Sequence, residues 1–343
     1  MSSAPPLPQL PRVVFGTSCL GNLYAEVPAA TKAAICRNWF DAVPPPVALD
    51  SAGKYGAGLA LEVMGRELRA LGVRPSEVVI SNKLGWYRVP LRGPEPTFER
   101  GVWYGLEHDA EQRISERGIL ECWEQGCELL GGYVPQLVSV HDPDEYLAAA
   151  ASPAERARRM DDIRGAYRSL FSLKARGQTS AIGIGSKDWT IIRELAAEIP
   201  FDWVMLACSL TVYHHPPELL EFLRELAGRG VMIINSAVFH AGFLTGGRYF
   251  DYRVPSPQNP VDAPLFAWRE RFLALCRAHE VPSAVACVQF SFAAPGVRAV
   301  ALNTAQPQRV AENASLVTAT VPAAFWRALR EAKLIREDYP IAM

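Results

Sequence analysis

Short apolar runs, many of them β-branched, recur along the chain and alternate with longer amphipathic stretches. The runs Val13–Gly16, Val47–Asp50, Val78–Lys83, Leu137–His141, Ala181–Gly185, Trp203–Ala207, Val231–Asn235 and Ala299–Asn303 are nearly continuous in apolar residues rather than alternating. That is the pattern of parallel strands covered on both faces. Helical spacing marks Glu62–Leu71, Ile114–Leu130, Pro153–Arg176, Lys187–Glu198, Pro217–Gly228, Ala263–His279, Gln306–Leu316 and Pro322–Ile335. In Pro217–Gly228, for example, Leu219, Leu220, Leu223 and Leu226 form one stripe that ends at a glycine. A chain of 343 residues is long enough for two average domains or for one barrel with long loops. The strand–helix alternation favours the second: an α/β chain folding as a (β/α)8 TIM barrel, one domain over residues 1–343, with residues 1–11 a flexible lead.

A doubly wound open sheet is the competing architecture. It would prefer a glycine-rich dinucleotide turn after its first strand, and Gly16-Thr17-Ser18-Cys19-Leu20-Gly21 is not one. Gly183-Ile184-Gly185, later in the chain, reads as a tight strand exit. Two connections are long: Gly85 to Asp109 after the third strand, and His240 to Val261 after the seventh. Both leave the C-terminal ends of strands, where a barrel carries its active site, and both are rich in aromatic residues. They are expected to be structureless walls of a pocket.

Composition narrows the function classes. Lys and Arg number 35 against 36 Asp and Glu, so there is no basic excess for nucleic-acid binding. The seven cysteines are irregularly spaced and give neither a disulfide framework nor a metal ligand set, as in a cytoplasmic enzyme with reduced thiols. The N-terminal stretch is proline-rich without an apolar core, and the longest apolar run, near Val285–Pro295, is too short to span a membrane. His214-His215 is a poor metal pair because adjacent side chains diverge, and Arg156, Arg158 and Arg159 read as a solvated helix face.

Ionisable residues close three of the apolar runs: Asp50, Lys83 and His141. Tyr55 follows five residues after Asp50. In a barrel, the ends of strands two, three and four are neighbours on one rim. Each residue alone has a structural reading. Together they suit proton transfer to an oxygen during hydride transfer. Lys83 is expected to lower the pKa of Tyr55, Asp50 to orient Lys83, and His141 to hold a substrate oxygen.

Asp50-Ser51-Ala52-Gly53-Lys54-Tyr55-Gly56 resembles the aldo-keto reductase signature Asp-x-Ala-x-x-Tyr-Gly, and Lys83 and His141 match the rest of that superfamily's Asp-Tyr-Lys-His tetrad. The resemblance runs from Val14 to about Asn313. It implies a barrel, an NAD or NADP cofactor and carbonyl–alcohol redox chemistry on a small sugar or aldehyde. The runs from Gly16 through Leu20-Gly21-Asn22-Leu23-Tyr24, His141-Asp142-Pro143-Asp144 and Phe239-His240-Ala241-Gly242-Phe243-Leu244 are similar to the sugar-oxidising branch, with its L-fucose or D-threo-aldose 1-dehydrogenases and L-galactose dehydrogenases, and with pyridoxal 4-dehydrogenases nearby. That implies oxidation of an aldose at C1 to a lactone. The alternatives are an NADPH-dependent carbonyl reductase and a non-catalytic, cofactor-binding regulatory subunit.

The cofactor residues implied by the resemblance are Gly16, Thr17, Ser186, Ser236, Phe239, Leu244, Asn303, Thr304, Arg309, Glu312 and Asn313. Three positions depart from the family's pattern. Asn303 replaces a lysine frequent in NADP-preferring members, Gly185-Ser186 a Ser-Asn pair, and Ser236 a tyrosine that stacks on nicotinamide. Substrate-facing candidates are Tyr24, Trp86, Trp103, Tyr104, His108 and Asp109. Aromatic rings can cover the C–H face of a sugar, and the last two residues are expected to hydrogen-bond its hydroxyls.

Overall fold

The fold is that of a computed structural model, which describes residues 8–251 and 253–341. The strands are β1 (Val13–Gly16), β2 (Val47–Ala52), β3 (Val78–Leu84), β4 (Trp86–Pro90), β5 (His108–Gln112), β6 (Leu137–His141), β7 (Ala181–Ser186), β8 (Trp203–Ala207), β9 (Met232–Ser236) and β10 (Val297–Leu302). The helices are α1 (Ala29–Ala42), α2 (Leu59–Ala70), α3 (Glu116–Leu130), α4 (Pro143–Ala148), α5 (Pro153–Ala175), α6 (Trp189–Ala196), α7 (Pro217–Gly228), α8 (Ala263–Ala278), α9 (Ser283–Ala293), α10 (Arg309–Leu316) and α11 (Ala323–Glu331). Eight strands close into a barrel in the order β1-β10-β9-β8-β7-β6-β3-β2, and β4 and β5 form a separate antiparallel pair. The barrel strands lie where the apolar runs predict them, each within two residues at either end.

Contacts divide the chain into two compact units: residues up to Met205 with Ala301–Ala314, and Leu206–Val300 with the residues from Ser315 on. In the first unit, β1, β2, β3, β6 and β7 pair in parallel and are almost entirely buried. Continuous burial explains why these strands read as unbroken apolar runs. Ser115 caps α3 by accepting the Gly118 amide, and Gly131 ends it in the left-handed conformation. In the second unit, α7 turns Leu219, Leu220, Leu223 and Leu226 inward as its stripe predicts.

Several elements escape the pattern. Helix α1 buries Ile35, Cys36 and Trp39 but also Lys32 and has only a weak apolar stripe, so its period is faint. Helix α4 is six residues long, too short to show a period, and α9 is apolar nearly all round. The expected structureless connection from Gly85 to Asp109 is instead a hairpin. Trp86 pairs with Gln112 and Pro90 with His108, leaving only the segment between the strands irregular. Of the expected flexible lead, residues 1–7 lie outside the described residues, while 8–11 are irregular.

Candidate active site

Parallel pairing sets the first layer of the site. Ala52 is level with Lys83, Lys83 with Ser139, and Ser139 with Gly183, so these four share one row. The lysine is the only large member. Small neighbours leave room for its stem, and a Cβ on Gly185 would lie 2.9 Å from Lys83 Cδ. Gly185 is therefore more than a strand exit: its missing side chain is the space that Lys83 fills. The Gly-Ile-Gly alternation carried this signal in the sequence.

Lys83 Nζ donates to Asp50 Oδ2 at 2.5 Å and to the Ser51 carbonyl at 3.3 Å, and Asp50 Oδ1 accepts from Ser81 Oγ at 2.9 Å. Both members of the ion pair are nearly inaccessible, with 3 % and 4 % side-chain exposure. Thr17 Oγ1 donates to the Asp50 carbonyl at 3.0 Å and fixes the same strand end from β1. Tyr55 sits in the turn after β2, with Lys83 Nζ 4.8 Å from its ring centre. The His141 ring meets it edge-on, 5.7 Å away at 83°. A Cβ on Gly21 would lie 2.7 Å from the Tyr55 carbonyl, so this glycine lets the segment after β1 press on the tyrosine turn. Asp50, Tyr55, Lys83 and His141 thus converge, as their strand ends predict.

The electrostatics depart from expectation in one respect. The Tyr55 hydroxyl is pushed well above the usual phenol pKa, by burial and then by the charges of Asp50 and Asp142, against opposing pulls from Lys54 and Lys187. The expected lowering by Lys83 is not found. Its ammonium is neutralised by Asp50 and faces the ring of Tyr55. Burial, Lys83 and Lys54 hold His141 well below the usual imidazole value, so it is neutral. Its Nε2 lies 3.5 Å from Asp142 Oδ2, and its buried Nδ1 has no partner among the described residues. A neutral histidine offers one donor and one acceptor to a substrate oxygen.

Of the candidate substrate residues, Trp103 lies 5.9 Å from Tyr55 and Trp86 lies 5.6 Å from Phe98, in a cluster that Tyr55 packs against. The backbone of Tyr24 donates to the Val102 carbonyl at 2.8 Å, which stitches the segment after β1 to this wall. Tyr104 is exposed, and His108 lies in β5 opposite Pro90. The Asp109 carboxylate is committed to its own loop: it accepts from the Thr97 amide at 3.0 and 3.1 Å and from the Ala110 amide at 2.8 Å. It is not offered to a ligand, contrary to the expectation for this residue.

Among the candidate cofactor residues of the first unit, Asn303 is exposed and donates to Ser18 Oγ at 2.9 Å. A Cβ on Gly16 would touch Asn303. Thr304 Oγ1 accepts from the Gln306 amide, and Arg309 stands exposed at the start of α10, with Glu312 and Asn313 in its first turns. A guanidinium at the positive end of a helix dipole is a donor set that fits an anionic nucleotide. The Ser186 hydroxyl is occupied within its own turn by Asp188. In the second unit, Ser236 Oγ donates to the Leu206 carbonyl, Phe239 is half-buried and Leu244 is fully buried. There His240 joins Thr211 at 2.9 Å to Asp251 at 2.8 Å, and Cys208 donates to the same carboxylate, which ties down the long connection after β9.

A model of the aldo/keto reductase family matches residues 12–333. The chain belongs to the aldo/keto reductase family. It is therefore an oxidoreductase that uses NAD(P). It is similar to a pyridoxal 4-dehydrogenase of Microbacterium luteolum, 28 % identical over 94 % of this chain and 93 % of that one. It is also similar to a D-threo-aldose 1-dehydrogenase of a Pseudomonas species, 26 % identical over 95 % of each chain. Among solved structures, the glycerol dehydrogenase of Gluconobacter oxydans matches with a TM-score of 0.68 and 18 % identity over 97 % of this chain and 95 % of that one, which supports the barrel. Among the described residues of this aldo/keto reductase, no helix is long and apolar enough to cross a membrane.

Proposed function

We propose that this aldo/keto reductase oxidises an aldose at C1, converting the hemiacetal to a lactone. The bound nicotinamide cofactor supplies the hydride acceptor. Tyr55 takes the proton of the C1 hydroxyl, Lys83 and Asp50 hold Tyr55 in place, and neutral His141 orients the reacting oxygen. The observation that carries this reading is the bracketing of Tyr55, with Lys83 over its ring and His141 at its edge. The aromatic wall of Trp86 and Trp103 suits the C–H face of a sugar, and the similar Pseudomonas protein is named for aldose oxidation. In the nucleotide site, Arg309 and Asn303 bind NAD without a strong preference for NADP.

One observation favours a second reading. The upward shift of the Tyr55 pKa makes the phenolate that oxidation needs harder to reach, which suits a proton-donating carbonyl reductase. The deciding experiment is a panel of aldoses, simple aldehydes and pyridoxal with both cofactors in both oxidation states, followed at the reduced-nicotinamide absorbance. Oxidation of an aldose as the most efficient reaction supports the first reading. Aldehyde reduction far faster than any sugar oxidation replaces it with the second.

A further inference from the structure

Lys54 precedes Tyr55, and its charge acts on Tyr55 and His141, but its own partners lie elsewhere. Its ammonium is 3 % exposed and lies 2.7 Å from Glu99, 2.7 Å from Glu145 and 3.3 Å from Asp142. A buried lysine is rarely left without partners. Here burial disfavours the charge, but the carboxylates outweigh it and Lys54 stays protonated. Lys187 closes the far side of the cluster, 2.5 Å from Glu145 and 3.8 Å from Asp142. The carboxylates come from three places: Glu145 from α4, Asp142 from the end of β6 beside His141, and Glu99 from the segment between β4 and β5.

Glu99 is the informative partner. One of its oxygens meets Lys54, and the other accepts the indole N–H of Trp103 at 2.7 Å. Its φ of 41° lies in the left-handed region, a costly backbone for glutamate that persists where surroundings impose it. The backbone near Trp103 is held separately. The amide of Tyr24 donates to the Val102 carbonyl, and that of Tyr104 to the Asn22 carbonyl. Those bonds fix the ridge. The indole itself packs against Tyr55 and Phe98, and its N–H is held by Glu99, which Lys54 holds in turn.

We propose that Lys54 is a positioning residue that, through Glu99, clamps the indole of Trp103 against Tyr55 and so fixes the substrate wall. The proposal rests on Tyr55 as the site of chemistry. Its prediction is a defect in substrate binding with the proton carrier intact.

The test uses the full-length enzyme and the best substrate from the panel. Glu99→Ala is expected to raise substrate KM by about tenfold or more with kcat changed less than about threefold, the signature of lost binding that ground and transition states share. Lys54→Met should have the same effect on KM and also shift the pH profile of kcat, because its charge acts on Tyr55 and His141. Trp103→Phe should raise KM likewise, and adding Glu99→Ala to it should change nothing further, because the two act as one unit. Independently of turnover, acrylamide should quench the Trp103 contribution to fluorescence, taken as the difference from Trp103→Phe, more strongly in Glu99→Ala. Glu99→Ala leaves Lys54 with Asp142 and Glu145, so it decides the matter if Lys54→Met does not fold. Unchanged KM and quenching in Glu99→Ala, or KM effects that multiply in the double variant, overturn the clamp. Near-normal turnover of Tyr55→Phe would instead overturn the assignment of the chemistry and leave the quenching result standing.

Discussion

Replacing Lys83 with Met should cost both stability and turnover. The ammonium lies 2.5 Å from Asp50 Oδ2, and both side chains are almost sealed from water. Without it, Asp50 keeps one side-chain donor, Ser81 Oγ at 2.9 Å. Breaking a buried pair from one side typically costs about 3–5 kcal/mol, mostly the penalty of the charge left behind. Equilibrium unfolding in guanidinium should therefore place Lys83→Met that far below the wild type at neutral pH. One control separates charge from packing. The double variant Lys83→Met with Asp50→Asn should be more stable than Lys83→Met alone, since no buried charge remains. Turnover should fall by at least about 10²-fold, because Tyr55 loses the group that faces its ring. A loss below about 1 kcal/mol would mean that water screens the pair as on a surface, and that no buried charge is left stranded.

The same site sets the pH profile. Tyr55 is held above, and His141 below, their usual values, so the oxidative rate should climb with pH by up to about tenfold per unit through the neutral and mildly alkaline range. The reductive rate should stay flat there, and neither kcat/KM profile should show a limb near the usual imidazole value; such a limb would contradict a neutral His141. For the nucleotide, Asn303→Lys should improve NADP⁺ binding relative to NAD⁺ by about 1–3 kcal/mol, the worth of a charged hydrogen bond to the extra phosphate. A wild-type kcat/KM ratio already a hundredfold in favour of NADP⁺ would show that Arg309 and its neighbours suffice.

The barrel strands were legible because burial on both faces writes them as continuous apolar runs, and their order identified the rim on which Asp50, Lys83 and His141 meet. What the period could not reveal were elements whose burial is not periodic: α1 with its inward Lys32, α9 apolar nearly all round, and the short β4–β5 pair. The site's supporting residues were hidden for a different reason. Gly185 matters as absent volume beside Lys83, and Lys54 and Glu99 matter through partners distant in sequence. Asp109 looked available because its carboxylate is polar and near aromatics, but backbone amides of its own loop had the stronger claim. Residue type placed Lys83 near Tyr55. It could not weigh the Asp50 charge and burial that raise the phenol pKa instead.

The substitution Tyr55→Phe removes one oxygen and leaves the ring between Lys83 and His141. With the best aldose and its preferred cofactor, kcat should fall by about 10²–10⁴-fold. Cofactor affinity, measured by fluorescence titration, should stay within about twofold of the wild type, because the hydroxyl acts on the proton rather than on nucleotide binding. Turnover within about tenfold of the wild type would contradict the claim that Tyr55 carries the proton.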